Sequence, residues 1–334
     1  MMERPIVLVT GATGFLGGAV VRRLFAEGWR VRATGRQAAA GAALAAEGIP
    51  FTACDLAESP DRLAKLTAGC TQVVHCAALS SPWGQQRDFQ AANVTATRNV
   101  IIACQAAGVQ CLVAISSPSV SFIYGAQQNI GEDAPWVDPA ANYYIATKRI
   151  AERAVLTAGL PCVVLRPKAL FGPGDTTLIP RVLKVAARGR FPLFGPDCLL
   201  DLTWIGDAVD AVLLALKADA RCYGKVYHIT SGAPLSRQQV LETLFAACGL
   251  QVRLRRLPLP VALALGSALE VISKLTTIGR WEPPLTRYSV GALAYGQTLD
   301  ISAARRDLGY APLTDIPSRL QECGLAWRKL HFPL

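Results

Sequence analysis

The stretch Val7-Leu8-Val9-Thr10-Gly11-Ala12-Thr13-Gly14-Phe15-Leu16-Gly17-Gly18 decides how this chain is read. A short apolar run of strand character enters the glycine series Gly11-x-x-Gly14-x-x-Gly17, and a helical pattern, Ala19–Phe25, follows at once. The first glycine permits a tight turn, the second lets backbone approach a pyrophosphate, and the third lets helix and strand pack closely. Free N–H groups and the positive dipole end at the helix start face the anion. The spacing predicts a dinucleotide cradle formed by Gly11, Thr13, Gly14, Phe15, Leu16 and Gly17. An ordinary strand–turn–helix with incidental glycines is the competing reading, and the residues further along decide between them.

The chain has 334 residues, 51% of them hydrophobic and 17% charged, which excludes a disordered protein. Its length suits one large α/β domain or a cofactor domain with a smaller second lobe. The ten cysteines are scattered through apolar segments, as at Cys76, Cys104, Cys111 and Cys162, without a Cys-x-x-Cys pair or a Cys/His cluster. Reduced thiols in a cytoplasmic protein are expected, and no metal site. Met1–Arg4 lead directly into the first strand, so no signal peptide is expected. The net charge is +10, but the arginines are spread out except for Arg253, Arg255 and Arg256. With no nucleic-acid motif, nucleic acid is not an expected partner.

Strand and helix patterns then alternate. Gly28–Arg36 reads as a turn, a second strand and its end, where an acid would bind the adenosine ribose 2′-OH and signal NAD. Gly35 leaves room instead, and Arg36 can pair with a 2′-phosphate, so NADP(H) is favoured over NAD(H). A third strand over 49–54 precedes Asp55, suited to accept a hydrogen bond from the adenine amino group. The fourth, Gln72–Ala78, ends in small residues, and Ala77 lets the sheet edge approach the cofactor. His75 within it is read as structural. Ser80-Ser81-Pro82-Trp83-Gly84 is a loop at the ligand-binding edge of the sheet, where Trp83 covers a substrate pocket or merely plugs the loop. A long helix is expected over Phe89–Gly108, and a fifth strand, Cys111–Ile115, ends in Ser116-Ser117-Pro118-Ser119.

Tyr144 and Lys148 stand four apart in a helical pattern and so share one face. A phenol is a weak proton donor at neutral pH; a nearby ammonium and an oxidised nicotinamide favour the phenolate and lower its pKa. Tyrosine then serves as general acid in ketone reduction, or as base in reverse. A serine from the end of strand five can hold the carbonyl oxygen; Ser117 is the first choice, ahead of Ser116 and Ser119.

With these residues in place, the chain resembles an extended short-chain dehydrogenase/reductase. The resemblance rests on Thr10–Gly17, Asp55-Leu56, Cys76-Ala77-Ala78, Ser116-Ser117, Tyr144-x-x-x-Lys148, Leu165-Arg166-Pro167 with Phe171–Asp175, Asp207, and Ala304–Pro312, and it covers nearly the whole chain. Ser116–Val120 and Pro283-Pro284-Leu285-Thr286 are similar to the 3β-hydroxysteroid dehydrogenase-like branch, which includes 2-alkyl-3-oxoalkanoate reductases. The family often has serine where this chain has Thr147. The resemblance implies a doubly wound parallel Rossmann sheet, with Leu56 and Pro167 beside the cofactor and Tyr144 and Lys148 touching it. It further implies Ser81, Trp83, Ser119 and Phe171 at the substrate.

Residues 1–170 are expected to form the dinucleotide-binding domain, with later segments returning to it. Residues 171–334 are expected to form mainly a smaller mixed α/β substrate lobe. Within that lobe Leu257–Leu269 is apolar, broken by prolines and too short to span a membrane. A buried helix is the first reading; a membrane-facing element beside the basic cluster is the other. The expected activity is NADPH-dependent reduction of a ketone or aldehyde on a hydrophobic small molecule, such as a 3-oxo acyl, sterol-like or flavonoid-like compound. A nucleotide-sugar epimerase/dehydratase and a non-catalytic NADPH-binding sensor are the alternatives. Peripheral membrane contact and homodimerisation are both left open.

Overall fold

The computed structural model describes residues 5–313 and 315–331. Met1–Arg4, on which the expectation about a signal peptide rests, lie outside the described residues. Strands β1 (Ile6–Thr10), β2 (Arg30–Gly35), β3 (Phe51–Ala53), β4 (Gln72–His75) and β5 (Cys111–Ile115) join the strands Cys162–Pro167 and Lys225–Ile229 in one sheet. All seven run parallel, in the spatial order Lys225–Ile229, Cys162–Pro167, β5, β4, β1, β2, β3. The order reverses between β1 and β4, and in such sheets ligands bind in the crevice beyond the strand carboxyl ends at that point.

The sheet is buried on both faces, which is why its strands are nearly continuous apolar runs. Val7 and Val9 of β1 point into one core with α1 (Phe15–Ala26), while Leu8 points into the other. After α2 (Ala38–Ala46), that second core is covered by α3 (Pro60–Thr67). The helical segment after the fourth strand is not the continuous helix expected over Phe89–Gly108. It consists of α4 (Gln86–Phe89), a π-helical turn Gln90–Thr95, and α5 (Ala96–Ala107). The wide turn presents buried Asn93 to two neighbouring segments. Its side-chain oxygen accepts from Leu79 N at 2.7 Å, and its amide donates to Leu79 O at 3.2 Å and to Thr147 Oγ1 at 3.0 Å.

Helix α6 (Tyr143–Leu156) also covers the second core. A third core holds α7 (Leu178–Ala186), and α8 (Ile205–Leu216) returns to the first core with nine buried residues. Burying each large apolar side chain of that helix contributes roughly 1.5–3 kcal/mol. Helix α9 (Arg237–Cys248) packs with α12 (Ile316–His331) in that third core, and α10 (Leu259–Thr277) with α11 (Arg287–Ala294) in a fourth. The apolar stretch expected as a short buried helix is neither short nor buried. It continues to Thr277, and only small residues, Ala262, Gly266 and Ser273, are buried; at Gly266 the start of α11 lies too close for any side chain.

His75 is structural, as read from the sequence. Its ring nitrogens pair with Thr10 Oγ1 at 2.8 Å and Thr97 Oγ1 at 2.9 Å, tying β4 to β1 and α5. Burial, then the Lys148 charge, pushes His75 down to about 3; burial, then Arg166, does the same to His228. Both folded values lie below the ordinary 6.5. Their contribution is therefore full above pH 6.5 and is lost as pH falls toward about 3, while the unfolded chain takes up protons the folded chain refuses. Urea unfolding between pH 7 and 4 should show stability falling by up to about 1.4 kcal/mol per pH unit for each histidine. A flat profile would contradict the burial of these rings as neutral imidazoles.

Candidate active site

The parallel strands bring the ends of β1, β2, β4, β5 and Cys162–Pro167 to one edge. At the β1 end, Gly11 takes a left-handed φ of +67°, and a Cβ there would lie 2.7 Å from Ala77 N. A Cβ on Gly17 would lie 2.3 Å from Gly11 O, so that glycine allows α1 to sit against the turn. Gly14 is the α1 N-cap; no side chain caps the helix and no acid lies in its first turn. Thr13, Phe15 and Leu16 flank this opening. The uncapped N–H groups and glycine-lined backbone fit a dinucleotide pyrophosphate.

Gly35 ends β2, where a Cβ would meet Thr13 Oγ1 at 2.7 Å, so the absence of an acid here has a steric reason. Arg36 follows, exposed. Asp55 follows β3 and accepts from Ala57 N at 2.9 Å, while Leu56 is buried in the second core. Ala77 and Pro167 are half-buried, the one just beyond β4 and the other at the end of the strand Cys162–Pro167, which pairs with β5.

The helix bearing Tyr144 and Lys148 begins at Asn142, whose side chain accepts from Ile145 N at 2.9 Å. Tyr144 is half-buried, and its phenol faces the Ser117 and Ser80 hydroxyls. Burial pushes the phenol above its ordinary value; the two serines oppose this without reversing it. The expected depression by Lys148 is thus not a property of the protein alone. The Lys148 ammonium donates to Ile115 O at 2.7 Å, and burial lowers it to about 8 against the opposing pull of Glu152 and Cys76. Thr147, the departure from the family pattern, donates to the Tyr143 carbonyl at 2.7 Å and accepts from Asn93.

The three candidate serines separate cleanly. Ser116 is taken up by Glu152, at 2.5 Å. Ser117 faces Tyr144, and its hydroxyl lies 2.7 Å from that of Ser119. Ser119 is buried and faces the Tyr288 phenol. Burial raises the Tyr288 phenol too, with Tyr144 nearby adding to the effect. Ser80 and Tyr288 were not singled out from the sequence. Tyr288 comes from α11, far from Tyr144 in the chain and seated by a capping box at Thr286; its T-shaped contact with Phe122, at 5.1 Å, places it.

Other expected substrate contacts are placed differently. Ser81 spends its hydroxyl within its turn, donating to Trp83 O at 2.8 Å. Trp83 donates to Ser273 Oγ of α10 at 3.2 Å, with the Lys274 ammonium 5.7 Å from its ring centre. Phe171 is a correction: it is 0% exposed and packs against Trp204 in the third core, leaving it no surface for a substrate. The free cysteines offer no alternative chemistry at this edge, since burial raises Cys76 to about 12.

A glycine cradle, a Ser–Tyr–Lys group and a parallel sheet define a nicotinamide-dependent oxidoreductase of the short-chain type. The model of the NAD dependent epimerase/dehydratase family matches residues 7–230. The chain belongs to that family and, within it, to the extended short-chain dehydrogenases/reductases of the 3β-hydroxysteroid dehydrogenase-like branch. It is 35% identical over 323 residues to a 2-alkyl-3-oxoalkanoate reductase of Shewanella oneidensis, covering 92% of this chain and 82% of that protein. A sterol-4-alpha-carboxylate 3-dehydrogenase (decarboxylating) of Saccharomyces cerevisiae is 32% identical over 351 residues, covering 98% and 99%. Among solved structures, MoeE5 in complex with UDP-glucose and NAD superposes with a TM-score of 0.76 at 25% identity, covering 98% of this chain and 99% of that one. The chain is an NAD(P)-dependent oxidoreductase.

Proposed function

We propose that this protein is an NADPH-dependent reductase acting on a ketone or aldehyde of a hydrophobic small molecule, with a 3-oxo acyl compound as the leading class. The observation that carries the reading is the grouping at the sheet edge of the Tyr144 phenol, the Ser117 hydroxyl that faces it, and Lys148 on the same helix face, its ammonium held by Ile115 O at 2.7 Å. The reductase and dehydrogenase names of its relatives support the same chemistry.

Gly11, Gly14 and Gly17 would hold the dinucleotide pyrophosphate, Arg36 a 2′-phosphate, and Asp55 the adenine, with Ala77 and Pro167 lining the bed. When bound, the nicotinamide supplies hydride to the carbonyl carbon. Ser117 Oγ donates a hydrogen bond to the carbonyl oxygen, and Tyr144 Oη gives that oxygen its proton. The Lys148 ammonium favours the resulting phenolate. Exposed Ser80, which faces the phenol, gives it a route to recover a proton from water. Ser119 and Tyr288 hold Ser117 in orientation from behind.

The test follows NADPH and NADH consumption at the nicotinamide absorbance against aliphatic ketones, 3-oxo acyl compounds and steroid ketones. Net consumption with one class is expected, with NADPH preferred. Arg36→Ala should reduce the NADPH/NADH ratio of kcat/KM by about 10- to 100-fold, the worth of a charge-assisted bond. Tight cofactor binding without consumption would turn the reading toward a cofactor-retaining epimerase.

A further inference from the structure

The helix α10 is built inside out for a protein in water. Its inner face is small: Ala262 and Ser273 are buried, and a Cβ added at Gly266 would lie 2.9 Å from Arg287 N. Its acid, Glu270, is turned inward and accepts from Arg287 N at 2.8 Å. Its large apolar residues point outward. Val261, Leu265, Ala268, Ile272 and Leu275 recur at alternating spacings of four and three, so they form one stripe along the helix. Val261 is 61% exposed, Leu265 50% and Leu275 80%, and Val271 and Ile278 widen the same surface. By length and composition this helix could cross a membrane, but its small-residue face is packed on the lobe, so it is suited to lie in an interface instead.

Charge indicates what covers the stripe. Arg253, Arg255 and Arg256 are exposed on the strand Arg253–Leu257 immediately before the helix; Lys274 and Arg280 stand at its far end, beside half-exposed Trp281. An uncharged apolar stripe with cations at both ends and an aromatic at its margin matches an anionic lipid surface. A second copy matches it poorly: pairing two such stripes, in either direction, brings cations against cations.

We propose that α10 docks on an anionic lipid surface, its apolar stripe among the acyl chains and its flanking basic residues at the headgroups. The docked helix is coupled to the active-site edge. Trp83 bonds to Ser273, Gln85 donates to Ile278 O at 3.0 Å, and the same loop carries Ser80, which faces Tyr144. A hydrophobic substrate dissolved in the bilayer would thus meet the protein beside its reactive group. The docking claim itself does not depend on the reductase reading.

The test is flotation of the full chain with phosphatidylcholine vesicles, with and without phosphatidylglycerol. The protein should float with the anionic vesicles, weakly with the neutral ones, and less as salt is raised. Leu265→Glu with Leu275→Glu should abolish flotation, and Arg255→Glu with Arg256→Glu should reduce it at least tenfold. Both pairs change exposed residues, so the circular dichroism spectrum and turnover of a water-soluble ketone should be retained. Failure of the wild type to float, or equal flotation of the leucine variant, would overturn the proposal. So would a dimer in sedimentation that the leucine variant dissolves, since a second copy would then be the occupant. Flotation without ketone turnover would leave docking standing and remove only the reductase reading.

Discussion

Tyr144→Phe is expected to lower kcat for carbonyl reduction by about 10²- to 10⁴-fold, the usual contribution of a positioned general acid. The ring keeps its packing, so the fold and dinucleotide affinity should be nearly unchanged. What is lost is the hydroxyl that faces both Ser117 and Ser80. Stopped-flow kinetics should show slow hydride transfer with saturable NADPH binding. The pH profile of the wild type gives a second readout. The phenol stays protonated beyond its ordinary range, whereas Lys148 loses its proton near pH 8, so reduction should weaken as pH rises through about 8. A fully active Tyr144→Phe enzyme would remove this tyrosine from the chemistry.

The second large effect lies beneath the site. Glu152 and Arg166 form a buried ion pair, Oε1 to Nη2 at 2.6 Å and Oε2 to Nε at 3.0 Å. Ser116 donates to the same carboxylate, and Arg166 also donates to Glu132 O at 2.9 Å. The pair joins α6, one turn beyond Lys148, to the strand Cys162–Pro167 and to the end of β5. Glu152→Ala would leave a buried guanidinium without its carboxylate, and should destabilise the protein by about 3–5 kcal/mol in urea unfolding. The change also reaches the chemistry. Glu152 holds the Lys148 pKa up, so its removal must lower that value. The alkaline fall in activity should therefore begin at lower pH in any Glu152→Ala protein that folds. Replacing both partners, Glu152→Leu with Arg166→Met, should recover much of the stability but not the Lys148 shift. Near-wild-type stability of the single variant would show that the pair does not hold the site together.

The parts of the site that could be read in advance are those in which partners lie within one element or one turn. Gly11, Gly14 and Gly17 define a strand–turn–helix by spacing alone. Tyr144 and Lys148 share a helix face, and Ser117 stands at the end of a strand that the apolar pattern marks. Ser80 and Tyr288 could not be found this way, because each meets Tyr144 or Ser119 only through the tertiary fold. Phe171 belongs to a family pattern, but the pattern does not say which way its ring points, and it points into the core. Helix α10 was underestimated for a related reason. Glu270 and Lys274 interrupt the apolar run after Leu269, yet neither ends the helix, and composition alone does not reveal which face is covered. The π-turn at Gln90–Thr95 is likewise set by the contacts of Asn93 with Leu79 and Thr147, which no local periodicity records.

The central claim, that this protein consumes NADPH to reduce a carbonyl, is tested most directly by stoichiometry. The wild-type protein would be incubated with a limiting 3-oxo acyl substrate and excess NADPH, with both nicotinamide oxidation and alcohol product measured. The account predicts one equivalent of NADPH oxidised for each equivalent of alcohol formed, continuing over many turnovers and lost in Tyr144→Phe. Tight NADPH binding with no net oxidation against the whole carbonyl panel would contradict it.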